Sequence, residues 1–173
     1  ANNRSSSRLG GDISTVEHAL IMQGVGPFLN KAGALPVLED SLHGPPGKSL
    51  AAIFDALRAA QHAAWQARDF AVLNSDTRAE EIEVAAMLGY VPEILAWLMD
   101  KAAARQWTKA RRSYVSDTTD AEASDQALTN ARLALARAWK LPDGLCDVLD
   151  PALGERTRQR ILRASMRIAD ISR

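Results

Sequence analysis

The segment Lys48–Leu73 is the strongest constraint on the fold. Leu50, Ile53, Phe54, Leu57, Ala60, Ala64, Ala71 and Val72 recur there at the helical period, so one long helix with a single buried stripe is expected. The surrounding chain is rich in alanine and leucine, which favours closely packed helices. Alternating β-branched residues are nearly absent, and only Tyr114-Val115 would suit a strand. The expectation is an all-α, compact multi-helix bundle.

Helix boundaries are signalled by residue type. Ser14-x-x-Glu17, Thr77-x-x-Glu80 and Thr119-x-x-Glu122 have the capping-box spacing, in which hydroxyl and carboxylate each satisfy an orphan backbone N–H. Pro36, Pro92 and Pro142 suit a first helical turn, and Gly33, Gly44 and Gly144 suit ends or turns. Helices are expected at Ala79–Leu88, Pro92–Ala104 and Ala121–Lys140, the last burying Ala127, Leu128, Ala131, Ala134, Leu135, Ala138 and Trp139. A short helix should follow Pro142, and a final one should run from Gly154 to the C-terminus. The polar, basic stretch Arg105–Asp117 reads as a connection. Residues 1–12 read as a flexible segment and 13–173 as one helical domain.

The 173 residues carry 21 Lys+Arg against 21 Asp+Glu, so no global field favours nucleic acid or an anionic membrane. Such a partner would need a local basic patch. Cys146 is the single cysteine, which excludes a disulfide framework or a cysteine-based zinc cluster. No membrane-spanning run or signal-peptide pattern is evident, and a cytoplasmic protein is expected.

The candidate chemistry is sparse. Gly44-Pro-Pro-Gly-Lys48-Ser49 lacks the first glycine of a phosphate-binding loop, since Leu42 stands there, and no strand feeds it. His18, His43 and His62 form no local chelating pair. Arg156, Arg160, Arg163 and Arg167 recur at helical spacing and form a basic stripe, although no aromatic residues interleave it as in a nucleic-acid surface. Trp97 and Trp139 fit core positions, whereas Trp107 beside Arg111 and Arg112 suits a surface contact. Cys146 reads as an inert thiol.

The segment from Ile13 through Gly24 resembles the opening "I-S-x-V-x-x-A-I-x-x-L-G" motif of HDOD domains, the HD-related output domains of bacterial signalling proteins. Gln61–Ala71 is similar to that family's long helix, and Ile82–Leu98 to the helix pair around its His-Asp dipeptide. Trp139-Lys140-Leu141-Pro142 is similar to its "W-x-L-P" turn, and Ile168-Ala169-Asp170 to its last helix. Ala1-Asn2 resembles the end of an upstream "A-N" segment, so the resemblance implies that the sequence starts partway into the domain.

HD-superfamily hydrolases hold a divalent metal with a His, a His-Asp dipeptide and a final Asp. By that resemblance His62 takes the first ligand position, Gly89-Tyr90 the dipeptide and Asp170 the last. Glycine and a neutral phenol replace the imidazole and bridging carboxylate, which implies a degenerate site without catalytic metal or cofactor. The implied function is a non-enzymatic signalling module. It would bind a protein partner, such as a receiver or cyclic-dinucleotide enzyme, through Trp107, Arg111, Arg112 and the arginine stripe. A metal-dependent phosphohydrolase with an unorthodox site, or a nucleotide- or nucleic-acid-binding regulator, are the alternatives.

Overall fold

A computed structural model describes residues 16–42, 47–113, 119–153 and 156–172, with the side chains of 16, 110–113 and 119–125 left aside. The Ser14 capping box, the 1–12 segment and Tyr114-Val115 lie outside these residues, as does the Thr119 box at side-chain level. The described residues form α-helices α1 (Val16–Gln23), α2 (Val25–Gly33), α3 (Gly47–Leu73), α4 (Ala79–Leu88), α5 (Val91–Met99), α6 (Lys101–Ser113), α7 (Thr119–Ala138), α8 (Asp143–Leu149) and α9 (Thr157–Ile171). Two 3-10 turns, Glu39–Ser41 and Pro151–Leu153, complete the set, and no strand occurs among the described residues. The all-α bundle is as expected.

The long helix α3 is the spine, packed along α4 and α9 and touching α5. Its buried face is almost entirely alanine: Ala56, Ala59, Ala60, Ala63, Ala64, Ala67 and Ala71. Short side chains let neighbouring helices approach closely, so the larger core residues come from those neighbours: Ile82, Tyr90, Leu145, Ile161, Leu162 and Met166. A second cluster joins Ile53 to Ala96, Trp97 and Ala104 at the other end of the spine.

This arrangement corrects the expected α3 stripe. Ile53, Ala60, Ala64 and Ala71 are buried, but Phe54, Leu57 and Val72 are exposed. In α7, Leu128 is buried as expected, whereas Ala127, Ala134 and Ala138 are exposed and Leu133 and Ala136 are buried instead. Trp139 is not core either: α7 ends at Ala138, and the tryptophan is 50% exposed in the turn beyond it.

Helix ends use other residues than the ones expected. The Thr77 box does not form: Arg78 is the N-cap of α4 without a side-chain cap bond, and Asp76 Oδ1 accepts from the Arg78 N–H at 2.8 Å. The helix expected over Pro92–Ala104 breaks at Asp100, whose backbone is extended. Its Oδ1 accepts from the N–H groups of Ala102 and Ala103, starting α6 as an Asp N-cap. The stretch expected to be a connection is therefore largely helical through Ser113. Pro92 does fall in the first turn of α5, but Pro36 lies between helices, Pro142 caps α8 and Gly144 sits inside it. Helix α9 starts at Thr157, later than Gly154.

The stretch Ala79–Met99 is long and apolar enough to cross a membrane, contrary to the sequence reading, with 50% of its most apolar window buried inside the bundle. It is folded here as α4 and α5 around a turn at Gly89-Tyr90.

Candidate functional site

The α4–α5 turn meets α9 at the place the resemblance assigns to the metal-binding dipeptide. Helix α4 closes on Gly89, whose N–H donates to the Ala85 carbonyl at 2.9 Å. A Cβ at Gly89 would lie 2.6 Å from Met166 Cε, 3.0 Å from Met166 Sδ and 3.2 Å from the Ala86 carbonyl oxygen. The glycine thus permits a close approach of α9, and the methionine fills the volume that a larger side chain at 89 would need.

Tyr90 is fully buried. Its hydroxyl is 2.9 Å from Asp170 Oδ1 and 3.3 Å from the Met166 carbonyl oxygen. One proton serves this pair of acceptors, and the carboxylate oxygen is the nearer one. Arg132 Nε donates to the Gly89 carbonyl at 2.9 Å, tying α7 to the same turn. Gly89, Tyr90 and Asp170 are therefore brought together, as a packed, hydrogen-bonded helix junction.

His62 does not join them as a ligand set. It is half-buried on α3, where its Nε2 lies 2.8 Å from Gln66 Nε2. It borders a depression shared with Arg58, Trp65, Ala169 and Ser172, whereas Asp170 lines a different cavity. Among the described residues no group of three His, Cys, Asp or Glu could hold a metal ion.

The cavity beside Asp170 measures about 190 Å³ and lies between α7, α8 and α9. Arg132, Arg163 and Arg167 line it together with Thr129, Asp150 and Gln159. Arg156, Arg160, Arg163 and Arg167 are all exposed, so the basic stripe of α9 faces outward as expected. The second expected surface is altered. Trp107 is half-buried against the Trp97 cluster rather than solvent-facing, because α6 turns it towards α5. Arg111 and Arg112 fall on α6, with side chains outside the described set. Gly47, Lys48 and Ser49 open α3, so the glycine-rich stretch leads into a helix without a strand before it.

Two polar features escaped the sequence reading. Arg158 of α9 faces the start of α4: its Nη2 donates to Glu81 Oε2 at 2.9 Å and to the Arg78 carbonyl at 2.9 Å. Its Nε is 3.0 Å from Asp76 Oδ2, within ion-pair distance but without hydrogen-bond alignment. This network locks α9 onto the start of α4. Glu93, inside the apolar face of α5, is fully buried and accepts from Thr108 Oγ1 at 3.0 Å. The acid within Val91–Met99 was the available signal for Glu93. Nothing local marked Arg158, whose partners are some 80 residues away.

Cys146 is half-buried, with its Sγ 3.7 Å from the Leu141 carbonyl oxygen. Burial pushes its thiol up, and the Asp143 carboxylate adds to the shift, so it stays protonated and weakly nucleophilic. Compared with known proteins, the chain matches no family model, no curated protein and no solved structure.

Proposed function

We propose that this chain is a non-catalytic regulatory module that works by binding another protein. The observation that carries the reading is the Tyr90–Asp170 hydrogen bond inside the Gly89–Met166 contact. A hydrolytic metal centre needs about three protein donors around an open coordination position. At this junction a phenol occupies the carboxylate and a methionine occupies the volume beside residue 89. The positions that the resemblance gives to a ligand dipeptide and a final ligand are used in helix packing by Gly89, Tyr90 and Asp170.

The exposed arginines of α9 give such a module a recognition surface. Arginine is enriched at interface hot spots, and four guanidinium groups on adjacent turns suit an acidic protein face. A partner from a bacterial signalling system, such as a receiver or cyclic-dinucleotide enzyme, fits the resemblance in Ile13–Gly24, Ile82–Leu98 and Ile168–Asp170.

The test is capture of a partner from the native host by the intact chain, followed by titration of that partner. Arg160→Glu with Arg163→Glu should weaken binding by about tenfold or more, with strong salt dependence and unchanged circular dichroism. Equal binding by wild type and variant would overturn the assignment of this face.

A further inference from the structure

The cavity between α7, α8 and α9 has two chemically different walls. Val148 and Leu149 of α8 with Leu162 and Met166 of α9, all buried, make the apolar one. Arg132 of α7 with Arg163 and Arg167 of α9 make the polar one. A gap in the packing needs no guanidinium groups around it, whereas an apolar hollow with a few convergent polar groups is the composition of a small-ligand pocket.

Gln159 supplies an independent observation. It lines the same cavity and is only 5% exposed. Its Nε2 donates to the Asp147 carbonyl at 2.6 Å, which fixes how the amide is turned, and its Oε1 is buried without a hydrogen-bond partner. A buried amide oxygen without a donor is destabilising, and a ligand hydroxyl at this wall would satisfy it.

The order of residues along α9 sets the length of that ligand. Gln159, Arg163 and Arg167 follow one another at four-residue spacing on one helix face, each roughly 6 Å further along the axis. A hydroxyl at Gln159 and an acidic group at Arg163 are thus about one six-membered ring apart. The volume agrees, since about 190 Å³ exceeds the roughly 150 Å³ that holds a benzene ring.

Charge selects the acidic group. Among the described lining residues, three guanidinium groups stand against two carboxylates, Asp150 and Asp170, which leaves one formal positive charge. Both carboxylates already accept from other parts of the fold, Asp150 from the Ala152 N–H at 2.9 Å and Asp170 from the Tyr90 hydroxyl at 2.9 Å. Arg132 is held in place by its bond to the Gly89 carbonyl. A planar, singly charged carboxylate matches both this balance and the guanidinium fork, whereas a doubly charged phosphate exceeds the balance.

We propose that the α7–α8–α9 cavity binds a small monocarboxylic acid with one apolar ring and a hydroxyl at the far end. The carboxylate lies at the arginine wall and the hydroxyl donates to Gln159 Oε1. Binding of the acid is read on the purified chain alone, so it stands or falls separately from the proposed protein partner.

Titration calorimetry with 4-hydroxybenzoate as the probe tests this. One site per chain is expected, with Kd on the order of 0.1 mM, ordinary for a ligand of about ten non-hydrogen atoms. Its methyl ester, which loses the charge, and benzoate, which loses the hydroxyl, should each bind about fivefold or more weakly. Arg163 is exposed, so Arg163→Gln leaves the core intact, and it should weaken binding about fivefold or more. Thr129→Trp, at a half-buried position on the α7 wall, should abolish binding by filling the space, with unchanged circular dichroism. No saturable binding up to about 10 mM would overturn the proposal. So would equal affinity for the methyl ester, for benzoate or for inorganic phosphate, or an unchanged affinity in Arg163→Gln.

Discussion

Removing one oxygen atom from Tyr90 probes the junction between the α4–α5 turn and α9. In Tyr90→Phe the buried ring remains, so the cavity contribution is close to zero and the change isolates the hydroxyl. That hydroxyl sits 2.9 Å from the Asp170 carboxylate, and a hydrogen bond to a charged group contributes about 1.5–3 kcal/mol. Asp170 is only half-buried, so water can replace the lost donor on its exposed side. The expected loss is therefore at the low end, about 1.5–2 kcal/mol, or roughly 3–8 °C in Tm for a chain of this size. Tyr90→Ala should cost about 3–5 kcal/mol, because the fully buried ring leaves a cavity among Met166 and its neighbours. Urea denaturation at neutral pH, with Asp170→Ala and the double variant, gives the coupling between the two groups. A coupling of about 1 kcal/mol or more is expected. A Tyr90→Phe loss below about 0.5 kcal/mol, with additive single and double variants, would refute the reasoning.

Gly89→Ala should change stability by less than about 1 kcal/mol in the same assay, since its Cβ would meet chiefly the flexible end of Met166, Cε at 2.6 Å, which can move aside, and the helical backbone at Gly89 suits alanine. Arg158→Ala should cost about 2–3 kcal/mol by leaving the buried Glu81 carboxylate without its α9 partner, while Arg156→Ala, exposed at the N-cap just before that helix, should stay within about 0.5 kcal/mol. Lys140→Gly should raise stability by about 0.5–1 kcal/mol, because Lys140 closes α7 at φ 54°, a left-handed conformation that strains any residue with a Cβ.

The bundle was legible in the sequence wherever helices have strong local signals. The bounds of α4 match the expected Ala79–Leu88, and α3 begins one residue before the expected Lys48. What was misread is which face points inward. Alanine is as good a helix former on a surface as in a core, so its spacing does not choose a side. In α3 the chain buries alanines and exposes Phe54, Leu57 and Val72, opposite to a reading weighted by side-chain size. The same ambiguity shifted the buried positions of α7 to Leu133 and Ala136.

At the candidate site, the Gly89-Tyr90 pair could be read directly from the residues, and the resemblance sets it where that family has a ligand dipeptide. Its consequence could not: the Tyr90–Asp170 bond joins residues 80 apart, and only the packing of α9 against the α4–α5 turn brings them together. The break at Asp100 was hidden because an aspartate after an apolar helix reads equally well as a surface residue or as a cap for the next helix. Trp107 was assigned to the surface by its basic neighbours, whereas α6 puts it on the same face as the buried Ala104.

The central claim, which rests on the proposed function, is that the Gly89-Tyr90-Asp170 cluster serves as a packing junction and not as a metal centre. Metal content by mass spectrometry, on protein purified without chelator and assayed in parallel for manganese-dependent hydrolysis of phosphodiesters and cyclic dinucleotides, tests it most directly. The account predicts substoichiometric divalent metal and no hydrolysis above buffer. Near-stoichiometric manganese or iron, lost together with activity in His62→Ala or Asp170→Ala while the fold survives, would contradict it.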